Sequence, residues 1–424
     1  MTKALAQTPL VFLWARTLGG GGIDAATSAQ QTSDGGFIVA GSTESFGAGA
    51  GDIWVLKLDS FGKVEWQKTY GGLGGDGAAS VRETSDGGLV VAGITTSFGL
   101  NGAWLLKLDG TGNVEWQKAY ARGSAGFSLD LTSDGGFIFT DAGRYSVART
   151  DANGNVLWQK SYWHTGYPTA WSVKQVAGGG FMIAGQTTSL GSGNIDALIT
   201  KLDADGNVIW QKSYGGLGID VAFSVVQALD GNFILAGQSN SFSGGFTDVW
   251  VFKVDSIGNV IWQKTFGGRT PGAFSVAEFV DSTNEGGAVI AGYTSGFGAV
   301  LNDAWVVKLD VVGNIVWQHT YGSSGYDLAN SVEQTSDGRF LVAGYMQVGP
   351  VASRNTDALV LRLDPEGRIP HCDLMGPSDA TVTVTNATVT TISQTASNTT
   401  ASATNTFATV TTTTAMSRIQ CFQS

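Results

Sequence analysis

The sequence predicts an all-β protein: a seven-bladed β-propeller of four-stranded blades, closed by the N-terminal strand and followed by a C-terminal Thr-rich β tail. A phrase built around Trp recurs with a period near 50 residues, and Gly-rich turns separate short strand-like runs within each period. The last period lacks one strand, which the N-terminus can supply. These observations outweigh the length of 424 residues, which alone would suggest two or three domains.

Composition agrees with many short strands joined by tight turns. The chain contains 61 Gly and 7 Pro, 14% of its residues are charged, and its net charge is −11. The acidic balance argues against nucleic acid or an anionic membrane as a partner. No stretch approaches the ~18 consecutive apolar residues of a membrane span. The first residues lack the order of features found in a secretion signal, and we treat residues 1–9 as an N-terminal extension.

The recurring phrase reads WQKTYGG at Trp66–Gly72 and is degraded to varying degrees elsewhere. A Trp side chain buries ~150–250 Å², so we interpret the phrase as packing between blades and not as seven copies of a site. Aligned on Trp, the phrase occurs at Trp14, Trp66, Trp116, Trp158, Trp210, Trp262 and Trp317.

Each period holds four strand-like runs, as the stretch from Asp76 to Tyr120 illustrates. The runs GAASVRET, LVVAGIT, AWLLKLD and VEWQKAY are separated by the turn SDGG, the loop TSFGLNG and the turn GTGN. Asp and Gly suit tight reversals, and β-branched and aromatic residues suit strands. Nearly continuous apolar runs are typical of strands that are covered on both faces, as strands within a propeller blade are.

The seventh period predicts how the ring closes. Its last hairpin begins at Asp364, but His371, after Pro370, stands where Trp is expected. Because Pro cannot donate to a central ladder, the outer strand is missing there. The phrase FLWARTL around Trp14 has no hairpin partner upstream. We therefore expect the N-terminal strand to complete the seventh blade, so that residues 10–370 form one closed ring.

The turn before six of the Trp residues follows the pattern D-x-x-G-x-x-x-W. This pattern resembles the tryptophan-docking motif of quinoprotein-type propellers, although that family has one more residue between Asp and Gly. The full phrase also resembles repeats in uncharacterised bacterial and archaeal surface proteins, over roughly residues 10–370. The resemblance implies a propeller and no activity. The vicinal cysteine pair that marks quinone-cofactor propellers is absent from the sequence, so no cofactor is expected.

One candidate binding site is a notch on the top face, where the loops after the outer strands and after the second strands lie. The third period is short and drops its second-to-third-strand loop, and the next top loop reads YWHTGYPTAW. Exposed aromatic residues beside polar groups suit stacking on sugars or gripping a protein. Alternatively, these aromatic residues fill the volume left by the lost loop. The candidate residues are Trp163, His164, Tyr167, Trp171, Arg122 and Arg144.

No catalytic or metal site is predicted. A Ser recurs in each inner strand, and seven copies without a paired His suggest a packed, hydrogen-bonded hydroxyl near the axis. The turns DANGN and DADGN lack the later Glu of a calcium loop, and the three histidines are scattered. The recurring residues are Ser28, Ser80, Ser128, Ser172, Ser224, Ser275 and Ser331.

Residues 371–424 form a Thr- and Ser-rich tail bracketed by Cys372 and Cys421. The two cysteines are either free thiols or a disulfide worth roughly 3–4 kcal/mol in the loop-entropy model. The runs TVTVTNATVTTIS and FATVTTTT indicate strands. The tail is therefore expected to form a β-hairpin or a stalk, or to pair with the edge of another sheet, its own or a neighbour's. Asn386 and Asn398 stand in N-glycosylation sequons.

Together these features favour an extracellular or cell-surface location. The leading hypothesis is a non-catalytic structural or adhesive glycoprotein with a protein partner, which in one version assembles into filaments through strand pairing by the tail. The second hypothesis is a carbohydrate-binding module or carbohydrate-active enzyme that uses the notch and recognises glycans. A third, an intracellular scaffold, requires free thiols.

Overall fold

A computed structural model places most of the chain in β-strands arranged as a ring. It describes residues 12–98, 101–121, 128–141, 145–162, 166–242, 246–268, 272–297, 301–350, 353–370, 372, 374–376, 381–385, 388–392, 397–398, 403–405, 409–412 and 416–423. Throughout these residues, the regular secondary structure consists of strands. Seven antiparallel sheets, which are the blades of a β-propeller, surround a central channel.

Each blade runs from an inner strand at the channel to an outer strand at the rim. The N-terminal strand is β1 (Leu13–Gly19). Blades 1 and 2 contain β2 (Asp24–Gln31), β3 (Phe37–Thr43), β4 (Asp52–Leu58), β5 (Val64–Gly71), β6 (Asp76–Glu83), β7 (Leu89–Thr95), β8 (Gly102–Leu108) and β9 (Val114–Ala121). Blades 3 and 4 contain β10 (Leu129–Leu131), β11 (Phe137–Asp141), β12 (Ser146–Thr150), β13 (Val156–Ser161), β14 (Thr169–Gln175), β15 (Phe181–Thr187), β16 (Asp196–Leu202) and β17 (Val208–Gly215). Blades 5 to 7 contain β18 (Asp220–Gln227), β19 (Phe233–Ser239), β20 (Asp248–Val254), β21 (Val260–Gly267), β22 (Ser275–Ser282), β23 (Ala288–Thr294), β24 (Asp303–Leu309), β25 (Ile315–Tyr321), β26 (Asp327–Gln334), β27 (Phe340–Gln347) and β28 (Thr356–Leu363).

The predicted closure of the ring is confirmed. Strand β1 pairs antiparallel with β28, with Trp14 opposite Arg362 and Leu18 opposite Ala358. Blade 7 therefore takes three strands from the end of the repeat region and its fourth from the N-terminus. This pairing covers the edge of β28, which would otherwise remain open to other chains.

The WQKTYGG phrase joins neighbouring blades, as predicted. Three side chains of blade 1 contact the turn between the third and fourth strands of blade 2. A Cβ added to Gly112 would lie 2.8 Å from the Trp66 ring. Tyr70 Oη donates to the Gly112 carbonyl at 2.6 Å, and Lys68 Nζ donates to Asn113 Oδ1 at 2.9 Å.

The same close contact between a turn Gly and the Trp of the preceding blade occurs at every seam of the ring. The other pairs are Gly62 with Trp14, Gly154 with Trp116, Gly206 with Trp158, Gly258 with Trp210, Gly313 with Trp262 and Gly367 with Trp317. The apolar core is likewise distributed between blades. One cluster, for example, combines Val55 of blade 1 with Val91 and Trp104 of blade 2.

We expect Gly112→Ala to destabilise the protein much more than Gly87→Ala. Both glycines have φ of +77°, so both substitutions impose the same left-handed strain, on the order of 1–2 kcal/mol. Gly87 has open space around it, whereas a Cβ at Gly112 meets the Trp66 ring. Overpacking at Gly112 should add about 1–3 kcal/mol, measured by urea unfolding. Equal losses in the two variants would contradict the role given to this seam.

The described tail segments between residues 375 and 423 form a strap that adds a fifth strand to every blade. Its strands pair antiparallel with the outer strands of blades 6, 5, 4, 3, 2, 1 and 7 in turn. The strap therefore passes once around the rim against the order of the blades. The strands of the strap are β29 (Met375–Gly376), β30 (Thr381–Val384), β31 (Thr388–Ile392), β32 (Ser397–Asn398), β33 (Ala403–Asn405), β34 (Thr409–Thr412) and β35 (Met416–Gln423).

The described part of the tail does not form a hairpin, so this one of the expected alternatives is wrong for it. The run TVTVTNATVTTIS does not form a single strand, because β30 pairs with blade 5 and β31 with blade 4. The returning strand expected at FATVTTTT contributes β34, which pairs with blade 1. Each outer strand presents a row of unpaired backbone groups, and these edges compete successfully with pairing inside the tail. The strap instead pairs with sheet edges of its own chain, which was another of the expected alternatives.

Candidate functional site

The side chains that line the channel are set by a bulge in the inner strands. In β2 the pairing register shifts between Ala26 and Ser28, which leaves Thr27 as an extra residue. Equivalent shifts occur in β6, β14, β18, β22 and β26. A bulge turns its extra residue in a new direction, and here the extra residues line the upper end of the channel. They are Thr27, Ala79, Trp171, Phe223, Glu278 and Asn330.

The upper part of the channel, which we call the upper chamber, is a cavity of about 590 Å³ lined by these bulge residues and the Ser ring beneath them. Two aromatic rings from neighbouring blades form one stretch of its wall. Trp171 and Phe223 meet edge to face with their centroids 5.3 Å apart. Trp171 Nε1 donates to Gln186 Oε1 at 3.3 Å, which fixes the orientation of the indole.

Glu278 continues the wall in blade 6, next in ring order after Phe223. It is half-buried, and burial raises the pKa of its carboxyl. In the part of the chain that the structure describes, no hydrogen bond or ion pair engages this carboxylate. Burial raises the pKa values of Tyr293 and Tyr345, and the negative charge of Glu278 raises them further. The pKa of Tyr293 reaches about 12.

Below the bulge residues lies a ring of small hydroxyl side chains, as predicted. Ser28 Oγ accepts from the Val81 N–H of the next inner strand at 3.3 Å. The hydroxyls of Ser128, Ser224 and Ser331 accept from the neighbouring inner strand in the same way. The assignment of Ser275 to this ring is wrong. Ser275 pairs with Thr294 at the start of β22, whereas Phe279 stands at the ring position. A single bulky residue therefore replaces Ser in blade 6 and narrows the channel there.

A second cavity of about 300 Å³, the lower chamber, lies beneath the Ser ring and carries a group of charges. The charges stand two residues after the ring position in their strands and belong to Arg82, Asp130, Lys174, Asp281 and Glu333. Lys174 Nζ lies 3.5 Å from Asp130 Oδ1. Burial lowers the pKa of Lys174 and raises that of Asp281. Burial, together with the charge of Asp281, raises the pKa of Glu333 to about 7.

Of the residues predicted for the top-face notch, the structure describes Tyr167 and Trp171. Arg122, Arg144, Trp163 and His164 lie outside the described residues. Tyr167 is 86% exposed, and its backbone N–H donates to Thr188 Oγ1 at 3.0 Å. Trp171 was predicted to end a top loop, but it lies inside β14 and lines the channel.

Tyr145 directly precedes β12 in the shortened third repeat. Its side chain is fully buried, and its hydroxyl donates to the Leu198 carbonyl of blade 4 at 2.7 Å. The aromatic residues expected to fill the volume of the lost loop were others: Tyr167 is exposed, Trp171 lines the channel, and Trp163 lies outside the described residues.

The described residues contain neither a cluster of metal ligands nor a membrane-spanning helix. No group of three potential ligands among His, Cys, Asp and Glu occurs in the described ranges. The turn at Asp203 is an ordinary turn, because its carboxylate accepts from the backbone N–H groups of Asp205 at 3.0 Å and Asn207 at 2.8 Å. Across the same described ranges, no helix has the length and apolar character needed to cross a membrane.

Neither a protein-family profile nor any curated protein sequence matches the chain. Selenomethionine-substituted virginiamycin B lyase from Staphylococcus aureus is similar in structure over 83% of this chain and 99% of its own, with 11% identity and a TM-score of 0.50. The Neurospora crassa Pan2 WD40 domain is similar over 82% and 90%, with 11% identity and a TM-score of 0.48. A protein of unknown function from Bacteroides caccae is similar over 66% and 91%, with 13% identity and a TM-score of 0.43. At such low identity the likeness to virginiamycin B lyase supports the β-propeller fold alone.

Proposed function

We propose that this protein is a non-catalytic structural or adhesive propeller of the extracellular space or cell surface, and that its ring is fastened by its own tail. The observation that carries the proposal is the strap, which supplies a fifth strand to all seven blades. A strand that pairs with each outer strand stabilises the blade and, on most blades, replaces a long open edge by a short edge strand, which is less prone to pair with other proteins. Such fastening suits a protein that must persist without assistance after export.

The fastening is completed, we propose, by a disulfide between Cys372 and Cys421. Cys372 lies just before the strap begins on blade 6, and its thiol is not free. The chain has one other cysteine, Cys421, which stands opposite Ala15 on blade 7 at the end of the strap. A bond between them makes the strap a covalent loop around the ring. Disulfides of this kind form in oxidising compartments, which supports an extracellular location.

The filament version of the proposal needs a specific rearrangement. The strap occupies the outer edges of its own blades, so a neighbouring subunit finds no open outer strand to pair with in the described part of the ring. Filaments would form only if the tail left its own blades and took the same positions on a neighbour, an exchange that does not close on itself. Single rings are therefore the expected state.

Carbohydrate binding is a second candidate function, supported by aromatic residues exposed on the top face. Tyr167 is 86% exposed, Tyr326 46% and Phe274 37%. They occupy equivalent positions, each four residues before the bulge residue of the inner strand, in blades 4, 7 and 6. Exposed aromatic rings suit stacking on sugar faces. This candidate site consists of the exposed aromatic residues around the upper opening of the channel and differs from the top-face notch predicted from the sequence.

The proposal is tested on the full chain produced through an oxidising secretory route. Peptide mapping without reduction should recover a cross-linked peptide containing Cys372 and Cys421, and electron microscopy should show single rings. Two free thiols in the folded, secreted protein would overturn the fastened-ring proposal. Strings of rings would establish the exchanged version instead. Binding on a glycan array that is lost in Tyr167→Ala would favour the second candidate.

A further inference from the structure

We propose that the upper chamber is a binding site for a small organic ammonium ion, with Glu278 as its counter-ion and the Trp171–Phe223 wall as the surface for its apolar body. The proposal stands independently of where the protein is located and of whether the strap fastens the ring. A volume of about 590 Å³ lies within the usual range of small-molecule sites.

The first step of the argument concerns the uncompensated charge of Glu278. A half-buried carboxylate normally has a cation or hydrogen-bond donors beside it, since burial of an unpaired charge is costly. The pKa of Glu278 is raised by burial with no opposing contribution from a neighbouring cation or donor. The titratable groups that its charge affects are the phenols of Tyr293 and Tyr345, which carry no positive charge.

The cation that shares the upper chamber is already engaged elsewhere. Arg82 lies at the chamber's lower boundary. Its Nη1 donates to the Val81 carbonyl at 2.7 Å and approaches Ser28 Oγ at 3.5 Å. The bulge residues on the other blades, such as Asn330 and Thr27, are neutral. Within the described lining, no cation pairs with Glu278, which leaves its charge available to a positively charged ligand.

The second step concerns the aromatic wall. The Trp171 and Phe223 rings are fixed against each other edge to face, and both line the chamber together with Glu278. Aromatic faces attract organic cations through the ring quadrupole, and Trp does so most strongly. A carboxylate beside aromatic rings thus combines the two interactions that recognise an ammonium group.

The third step concerns the charges below. The lower chamber contains two cations and three carboxylates, and Lys174 lies beside Asp130. Lys174 pairs with Asp130, and the charge of Arg82 acts on Asp281 and Glu333, so the floor of the site offers no unpaired positive charge to hold an anion. A neutral sugar would gain nothing from the charge of Glu278. The chemistry of the chamber therefore selects an organic cation over an anion or a neutral ligand.

The test measures binding of phenyltrimethylammonium, choline and spermidine to the full chain by isothermal titration and ligand-detected NMR. We expect saturable binding of at least one of them, with benzoate and benzyl alcohol bound much more weakly. Glu278→Gln should weaken ammonium binding by about tenfold or more, because the counter-ion is lost. Trp171→Leu should weaken it similarly. Glu285→Gln is the matched control in the same blade, because Glu285 is exposed and pairs with Lys308, and it should leave binding unchanged.

Three outcomes would overturn the proposal. One is no saturable binding of any of the three cations up to about 10 mM, a concentration that would reveal even weak sites. Another is binding of benzoate or benzyl alcohol as tight as that of the ammonium ions. The third is equal binding by Glu278→Gln and Glu285→Gln. Circular dichroism establishes that each variant is folded, and Trp171→Phe replaces Trp171→Leu if the latter is not.

Discussion

Deleting residues 1–19 is expected to abolish cooperative folding of the ring. The deletion removes β1, the outer strand of blade 7, which pairs with β28 on one side and with β35 on the other. It also removes Trp14, which is fully buried. Loss of one buried Trp alone costs about 3–5 kcal/mol, which is a large part of the 5–15 kcal/mol that stabilises a typical protein. The variant should elute as aggregate and show no sharp unfolding transition in urea.

The matched control deletes only residues 1–9, the extension that the sequence sets outside the propeller. This shorter deletion should leave the urea midpoint close to that of the full chain. A synthetic peptide spanning residues 10–20 should partly restore the transition of the longer deletion by binding between β28 and β35. A longer deletion that unfolds as sharply as the full chain, at the same urea concentration, would show that the ring does not depend on its N-terminal strand.

Ending the chain at residue 370 is expected to have the second-largest effect. This truncation removes the strap and leaves seven outer strands with open edges. Each backbone hydrogen bond lost removes a net ~0.5–1.5 kcal/mol, so the summed loss, after the entropy of ordering the tail is deducted, should reach roughly 5 kcal/mol. Exposed edges also pair with other chains. The truncated protein should unfold at lower urea and associate as its concentration rises.

A full-length Cys372→Ser variant separates the effect of the proposed disulfide from that of the strap strands. It should lose only the closure of the loop, roughly 3–4 kcal/mol in the loop-entropy model, and it should stay monomeric because its edges remain covered. A truncated protein that matches the full chain in both stability and monomeric state would refute a stabilising strap. Self-association of Cys372→Ser to the same degree as the truncation would show that the strands do not hold without the disulfide.

The ring could be predicted because its signals are local and repeated. The phrase around Trp14 lacked an upstream hairpin, and Pro370 stood where a ladder strand was needed. Either observation alone would leave the closure undetermined. The two together require the N-terminal strand to enter blade 7, and the pairing of β1 with β28 follows.

The channel residues could not be predicted from alternation, for a physical reason. Alternation assigns faces only while the register is continuous, and one extra residue reverses the assignment. The bulge before Ser28 inserts such a residue in the inner strand. In blade 6, Glu278 stands at the bulge position and Phe279 stands where the other blades have Ser. The sequence pattern pointed instead to Ser275, which is the wrong residue of β22. The recurring Ser was the useful signal for the channel lining, because the charged residues of the lower chamber lie two residues after the ring position.

The path of the strap was also beyond sequence reasoning. Alternating Thr and Val indicates a strand but not its partner, because the partner edges exist only after the blades have formed. Segments as short as Ser397–Asn398 carry too little pattern to be recognised. Their pairing is determined by the spacing of the outer strands around the rim.

Hydrogen–deuterium exchange of the full chain compared with the chain ending at residue 370 tests the central claim, that the tail encircles the ring, most directly. The outer strands that face the strap are the reporters, for example Gln211–Gly215 opposite β31 and Lys264–Gly267 opposite β30. We predict that amides of the strap exchange slowly in the full chain, and that the outer-strand segments lose protection on every blade when the tail is removed. A tail that exchanges at the rate of an unfolded peptide, with outer strands indifferent to its removal, would contradict the account.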